Sequence, residues 1–331
     1  MNPDQASQSI PSIYPPSWAG QWRWNQMFVS FLDTGNQNPG TNVPSLSTVL
    51  LIHGFGANKN HWRHNVLALS KGYRVIAIDL IGFGESEKPH SKLKNELDAQ
   101  GWCYGMDTWA QQIVDFIQAH IDGPIQLIGN SIGGVVALNA ARLLESQNKA
   151  AKQIILIDCA QRTLDDKRLL EQPRIKRWFR PILKGLVQQR WLTSRLFKAL
   201  ATASTVKAVL NRAYPSGQSL DEQLIYLLLK PAQEANAAEA FRGFINLFDD
   251  RIAPQLLADL KTPVAMLHGE LDPWEDRNEA AAWLDFPCVK SFQILEGLGH
   301  CPHDECPDVV NPLLIGLLNE AKEAPGQHSE T

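Results

Sequence analysis

Residues Gly129-Asn130-Ser131-Ile132-Gly133 set a serine between small neighbours, after an apolar run and ahead of a helical pattern. The G-x-S-x-G spacing is that of a nucleophile elbow, a sharp strand-to-helix turn. A strained backbone there lifts the hydroxyl clear of its surroundings, and the flanking glycines let strand and helix approach closely. Hydrolysis also needs an acid and a histidine, in that order further along the chain, each in a loop after a strand. Asp272, in His268-Gly269-Glu270-Leu271-Asp272, and His300, in Gly297-Leu298-Gly299-His300, meet both conditions. In this reading Ser131 forms an acyl-enzyme, His300 takes the serine proton and returns it to the leaving group, and Asp272 fixes the imidazole tautomer. His53-Gly54-Phe55-Gly56 follows a further apolar run, and its glycines free backbone N–H groups. The N–H groups of Phe55 and Ile132 are the expected oxyanion hole.

Two residues compete for these roles, Asp158 for the acid and His303 for the base. His300, Cys301, His303 and Cys306 are residue types that suit zinc, but the segment has no second paired half and is bracketed by Pro302 and Pro307, so no metal is expected. No organic cofactor is called for either. Asn130, Trp178 and Trp274 are candidate substrate contacts; His61 and His64, flanking Trp62, read as structural or facing the insertion described next. The glycine-containing stretch Asp79 to Ser86 reads as a structural loop.

Positioning these residues takes a sheet. Short Val-, Ile- and Leu-rich runs at 48–52, 73–78, 125–128 and 154–157 have the length of strands buried on both faces. Apolar residues at three- and four-residue spacing over 62–70, 108–120 and 132–145 alternate with them, which predicts a parallel sheet covered by helices. Two aromatic-rich strands are expected over 21–33 and turn material over 36–44. From 161 to 252 the strand signal vanishes in favour of helical stretches broken at Pro173, Pro181, Pro215, Pro231 and Pro254. Strands resume at 264–267 and 291–295, and a closing helix runs over 307–321. The expected organisation is a lead-in (1–20), a core (21–160 and 253–322), a helical cap (161–252) and a polar tail (323–331).

With 331 residues, 44% hydrophobic, the chain can bury a large core, and a net charge of −4 gives it no overall attraction for nucleic acid. Five cysteines without a C-x-x-C pair read as reduced thiols in a cytosol-like compartment, and the N-terminus lacks the basic and apolar regions of a secretory signal. The cap is different: residues 172–220 hold ten basic residues and no acidic one. At 100° per residue Ile175, Trp178, Phe179, Ile182 and Leu186 fall on one side and Lys176, Arg177, Arg180 and Lys184 on the other, with a kink expected at Pro181. Such a segment suits an anionic membrane surface or a large apolar substrate, while a cap helix with a solvated basic face is the plainer expectation.

From about Trp22 to Glu320 the chain resembles the α/β-hydrolase superfamily. That resemblance implies a mostly parallel eight-stranded sheet flanked by helices, with an α-helical cap inserted after strand 6. His53-Gly-Phe-Gly, Trp62-Arg63, Ala77-Ile-Asp-Leu, Gly129-Asn-Ser-Ile-Gly-Gly and Gly299-His-Cys-Pro-His-Asp-Glu are similar to the pheophytinase and chlorophyll dephytylase-like group. Gly269-Glu-Leu-Asp-Pro-Trp and Pro307-Asp-Val-Val-Asn extend the likeness. It implies cleavage of a phytyl ester by Ser131, Asp272 and His300, in the cytoplasm or at the periphery of a photosynthetic membrane. The Gly-Asn-Ser-x-Gly-Gly elbow is shared with carbon-carbon bond hydrolases of aromatic degradation, which is the alternative; a non-catalytic ligand-binding protein on the same scaffold is a third. Serine at the elbow disfavours the dehalogenase and epoxide hydrolase chemistries, which use aspartate there.

Overall fold

The structure, a computed structural model, describes residues 13–35, 47–96 and 100–323; most of the lead-in, the 36–44 turn and the polar tail lie outside the described residues. Eight strands form one sheet: β1 (Ala19–Trp24), β2 (Met27–Asp33), β3 (Thr48–Ile52), β4 (Arg74–Ile78), β5 (Ile125–Asn130), β6 (Gln153–Ile157), β7 (Val264–Gly269) and β8 (Val289–Leu295). Their order is β1-β2-β4-β3-β5-β6-β7-β8. Pairing is parallel from β4 to β8, and β1 and β2 add an antiparallel edge.

The apolar runs are central because both of their faces are covered. Every residue of β3, β5, β6 and β7 is buried, whereas edge strand β8 exposes alternate stretches. Within β3, Leu50 and Ile52 enter one core with helices α2 (Met106–His120), α3 (Ile132–Ser146) and α9 (Ala253–Asp259). Val49 and Leu51 enter the other core, which holds α1 (Val66–Leu69) and α12 (Pro307–Glu323). A period-2 strand thus feeds two helical layers. The chain runs from β3 outward to β4 and then returns to β5 on the other side of β3. The strand order therefore reverses at the carboxyl ends of β3 and β5, the place where ligands of open α/β sheets bind.

Helices α4 (Arg174–Gln188), α5 (Arg190–Leu200), α6 (Ala203–Ala213), α7 (Glu222–Ala232) and α8 (Ala237–Ile245) lie between β6 and α9. Two short helices, α10 (Arg277–Ala282) and α11 (Pro302–Glu305), sit in the loops after β7 and β8. The proline expectation holds at Pro173, Pro215 and Pro254, which flank or open helices, and needs correction at Pro181 and Pro231, which lie inside α4 and α7. Pro231 is the penultimate residue of α7, so few turns are lost. Around Pro181, Arg180 and Lys184 both bind Asp166, which holds the two halves of α4 to one anchor.

That anchor corrects the expected solvated basic face at Arg180 and Lys184. Arg180 is buried, Arg180 and Lys184 lie 5.0 and 4.9 Å from the Phe248 ring centroid, and Leu164 O accepts from Arg180. Arg180 and Lys184 of α4 thus face the protein, while Ile175, Trp178, Phe179, Ile182 and Leu186 face outward.

Candidate active site

Ser131 leaves β5 with φ 55° and ψ −123° and opens α3, so the elbow backbone sits where L-residues are strained. Three backbone bonds hold it there: Ser131 N–H donates to Ile157 O (3.0 Å), and Ser131 O accepts from Gly134 (3.0 Å) and Ala160 (3.1 Å). The glycines are required by close approach. A Cβ on Gly129 would lie 2.3 Å from Gly133 O, and one on Gly133 would lie 2.3 Å from Ile52 O and 2.6 Å from His53 O. These are backbone atoms and cannot rotate away. Gly133→Ala is therefore expected to destabilise the fold by about 3 kcal/mol or more, read as a lowered urea midpoint. It should also cost activity beyond that loss, because the displaced segment leads into the Phe55 turn.

After β7, the Asp272 carboxylate accepts from Trp274 N–H (2.8 Å) and pairs with His300 Nδ1 at 2.7 Å. Burial pushes the Asp272 pKa up, but the hydrogen bond and charge of His300 outweigh it and hold it below the usual value. The result is a carboxylate kept charged beside the imidazole. Asp158 lies in the same cluster: ligand atoms of Asp158, Asp272 and His300 fall within 4.8 Å of one another. Its Oδ1 accepts from Gly269 N–H (2.8 Å), and burial, then the charge of Asp272, push its pKa well above the usual range. The two competing acids are thus pushed in opposite directions, Asp158 upward by burial and the charge of Asp272, and Asp272 downward by His300. Asp272, not Asp158, carries the short bond to the histidine.

Asn130 braces the base, with Nδ2 donating to His300 O (3.0 Å) and Ile157 O (3.1 Å). The Trp274 ring meets the His300 ring edge-on at 4.8 Å. Trp178 does not join them: it stands exposed on α4 with Phe179 as ring neighbour, and among the described residues nothing links it to Ser131 or His300.

The Phe55 turn abuts the elbow, since a Cβ on Gly54 would lie 3.1 Å from Ser131 Cβ. His53 fixes this turn with Nδ1–H donating to Gly54 O (2.8 Å) and Nε2 accepting from Leu80 N–H (3.1 Å). The N–H of Ile132, the first helical residue, has no intrahelical partner. Overhead, Phe55 stacks on Phe244 of α8 at 3.9 Å. Asp79 accepts from the Lys59 and Glu85 amides (2.6 and 2.8 Å), so its loop ties together the rim.

Sequence reasoning missed a buried network beneath the helical insertion. Tyr214 O–H donates to Asp304 (2.9 Å), so His61 Nε2–H donates to Tyr214 (2.7 Å) and His61 Nδ1 has no partner. Arg63 Nε donates to Asp304 (2.8 Å) while its other nitrogens reach Asp221 (2.7 Å) and Ser219 O (2.6 Å). His303, the alternative base, packs between Trp62 (4.3 Å) and His61 (4.9 Å) with neither ring nitrogen bonded. Burial, aided by Arg63, pushes the His61 pKa from 6.5 to about 4. A group depressed on folding contributes stability that is present above its unfolded value and lost as pH falls through the folded one. Urea midpoints should therefore fall between pH 6.5 and about 4, and His61→Gln should flatten that slope by on the order of 3 kcal/mol. Glu275 was also missed; its carboxylate accepts from Gln161 N–H (2.8 Å), and burial pushes it up to about 7.

A cleft of about 710 Å³ opens elsewhere, between Glu96, the start of α5 and Arg242. Ser131 and His300 are 9% and 7% exposed.

Residues 49–313 match the model of the alpha/beta hydrolase family. The chain belongs to that family. This alpha/beta hydrolase is 24% identical over 301 residues to the chloroplastic pheophytinase of Arabidopsis thaliana, across 82% of its own length and 60% of the plant protein's. The chain thus spans less than two thirds of that relative. It is 26% identical over 285 residues to the 2-hydroxy-6-oxo-6-(2'-aminophenyl)hexa-2,4-dienoic acid hydrolase of Metapseudomonas resinovorans, covering 82% of this chain and 84% of that one. In fold, the hydrolase resembles a serine hydrolase involved in carbazole degradation, with TM-score 0.68, 19% identity and coverage of 91% and 98% of the two chains.

Proposed function

We propose that the protein is a serine hydrolase that cleaves a carboxylic ester of a bulky apolar substrate, with the phytyl ester of a chlorophyll-type pigment as the leading candidate. The observation that carries this reading is the 2.7 Å pair of His300 and Asp272 at the sheet edge that also bears the strained Ser131 turn. In the proposed reaction Ser131 Oγ attacks the ester carbonyl while its proton passes to His300 Nε2. The Phe55 and Ile132 N–H groups take the charge that develops on the carbonyl oxygen. The tetrahedral intermediate collapses, the alcohol leaves with the proton from His300, and water, activated by the same base, releases the acid. Asp272 keeps Nδ1 protonated throughout. The pheophytinase likeness supports the phytyl ester, and Trp274 against the His300 ring and Phe55 stacked on Phe244 offer apolar surface.

The second reading is carbon-carbon bond hydrolysis of a ring-fission product, favoured by the match over 84% of the Metapseudomonas enzyme. Pigment chromatography after incubation with pheophytin and chlorophyll, beside a p-nitrophenyl ester series and a ring-fission dienoate, separates the two. Serine-dependent release of phytol is the expected result. Turnover of the dienoate without any ester would transfer the assignment to the second reading. Cleavage of nitrophenyl esters alone would retain the esterase and remove the pigment.

A further inference from the structure

We infer that the outward face of α4, continued by the start of α5, is a docking surface for an anionic lipid bilayer. Ile175, Trp178, Phe179, Ile182, Leu183 and Leu186 are between 45% and 71% exposed. At 100° per residue they fall within about 140° of one another, a single face of the helix. Trp191, at the start of α5, is also exposed. An exposed apolar stretch of this size on a soluble fold marks a binding surface rather than ordinary scatter. The face cannot turn inward to relieve its exposure, because Arg180 and Lys184 on the opposite side are bound to Asp166 and lie over Phe248.

Charge selects the occupant. Residues 172–220 carry ten basic residues and no acidic one, in a chain whose net charge is −4; Arg180 and Lys184 are bound to Asp166 and Arg190 to Glu239, so the outward charge rests on others. Arg174, Arg195, Lys198, Lys207 and Arg212 are exposed and, among the described residues, have no carboxylate partner. On α5, Trp191, Arg195 and Lys198 share one side at three- and four-residue spacing, with the Arg195 guanidinium 5.5 Å from the Trp191 ring centroid. Aromatic and basic side chains beside a broad apolar face suit the boundary between acyl chains and anionic headgroups. A second copy of this chain seated on the same face would bring two basic surfaces together, which favours the bilayer. No helix among the described residues is long and apolar enough to cross a membrane, so the contact is at the surface.

This proposal stands apart from the hydrolytic reading and is tested without it. The full chain is floated on sucrose gradients with vesicles of phosphatidylcholine alone and of phosphatidylcholine mixed with phosphatidylglycerol. Binding to the mixed vesicles is expected to exceed binding to the neutral ones by about tenfold and to weaken in about 1 M salt. The Ile175→Glu/Ile182→Glu variant should lose about tenfold in binding, and the Arg195→Glu/Lys198→Glu variant should lose the preference for phosphatidylglycerol. Unchanged far-ultraviolet circular dichroism and thermal midpoints establish that both variants remain folded. Because the substituted side chains are exposed, that is the expected result. Failure of the wild type to float with either vesicle, or equal flotation of wild type and variants, would overturn the proposal. Sedimentation velocity covers the other occupant: a wild-type dimer dissociated by Ile175→Glu/Ile182→Glu would assign the face to a second copy instead.

Discussion

Replacing Ser131 with alanine is expected to lower ester hydrolysis by roughly a millionfold while leaving the protein folded. The elbow backbone is held by bonds from residues 157, 134 and 160 to main-chain atoms, none of which needs the hydroxyl. His300→Ala should cost about as much, and the double variant no more than either alone, because the two act as a unit. Asp272→Asn should cost about ten-thousand-fold, since an amide beside Nδ1 favours the wrong tautomer. Steady-state and burst kinetics on a p-nitrophenyl ester measure all four. If Ser131→Ala retained more than a hundredth of the wild-type rate, the acyl-enzyme mechanism would fall. Full activity in Asp272→Asn would point to Asp158, which lies in the same cluster.

Arg63→Ala should lower the free energy of unfolding by about 3 to 5 kcal/mol, the cost of stranding a buried charge. The stranded group is Asp304, whose side chain is 0% exposed and which accepts from Arg63 Nε at 2.8 Å. Tyr214 also donates to Asp304, but one hydroxyl cannot replace the guanidinium charge. Arg63→Lys should recover little. The guanidinium reaches Asp304, Asp221 and Ser219 O in three directions from one planar group, and an ammonium cannot span them. Urea denaturation at neutral pH gives the numbers. A loss below about 1 kcal/mol, the range of an exposed pair, would show that the network is solvated.

What could be read from the sequence depended on distance along the chain. The elbow, the acid loop and the histidine loop are each coded within a few consecutive residues, so residue type and spacing exposed them. The central strands could be read because strands buried on both faces need unbroken apolar runs. Asp158 and Asp272 are brought together by the pairing of β6 with β7, which no local pattern states. Arg63 meets Asp221 and Asp304 across separations of 158 and 241 residues, so its role was invisible. For α4, periodicity set Arg180 and Lys184 opposite the apolar residues but could not say which side faces inward. That was decided by Asp166, eight residues before the helix begins, whose carboxylate draws Arg180 and Lys184 toward the protein.

The end of α6 bears directly on the base. His300 N–H donates to Ala213 O (3.0 Å), and a Cβ on the neighbouring Gly299 would lie 2.2 Å from that same oxygen. The insertion is therefore not a module that can be exchanged whole, as a glove is exchanged on a hand. A chimera that grafts a foreign helical segment between β6 and α9 would alter specificity and unseat the histidine together. Substrate range is better diversified by varying α8 around Phe244 while leaving residues 213–221 intact, because that stretch is part of the core's machinery although it is numbered within the insertion.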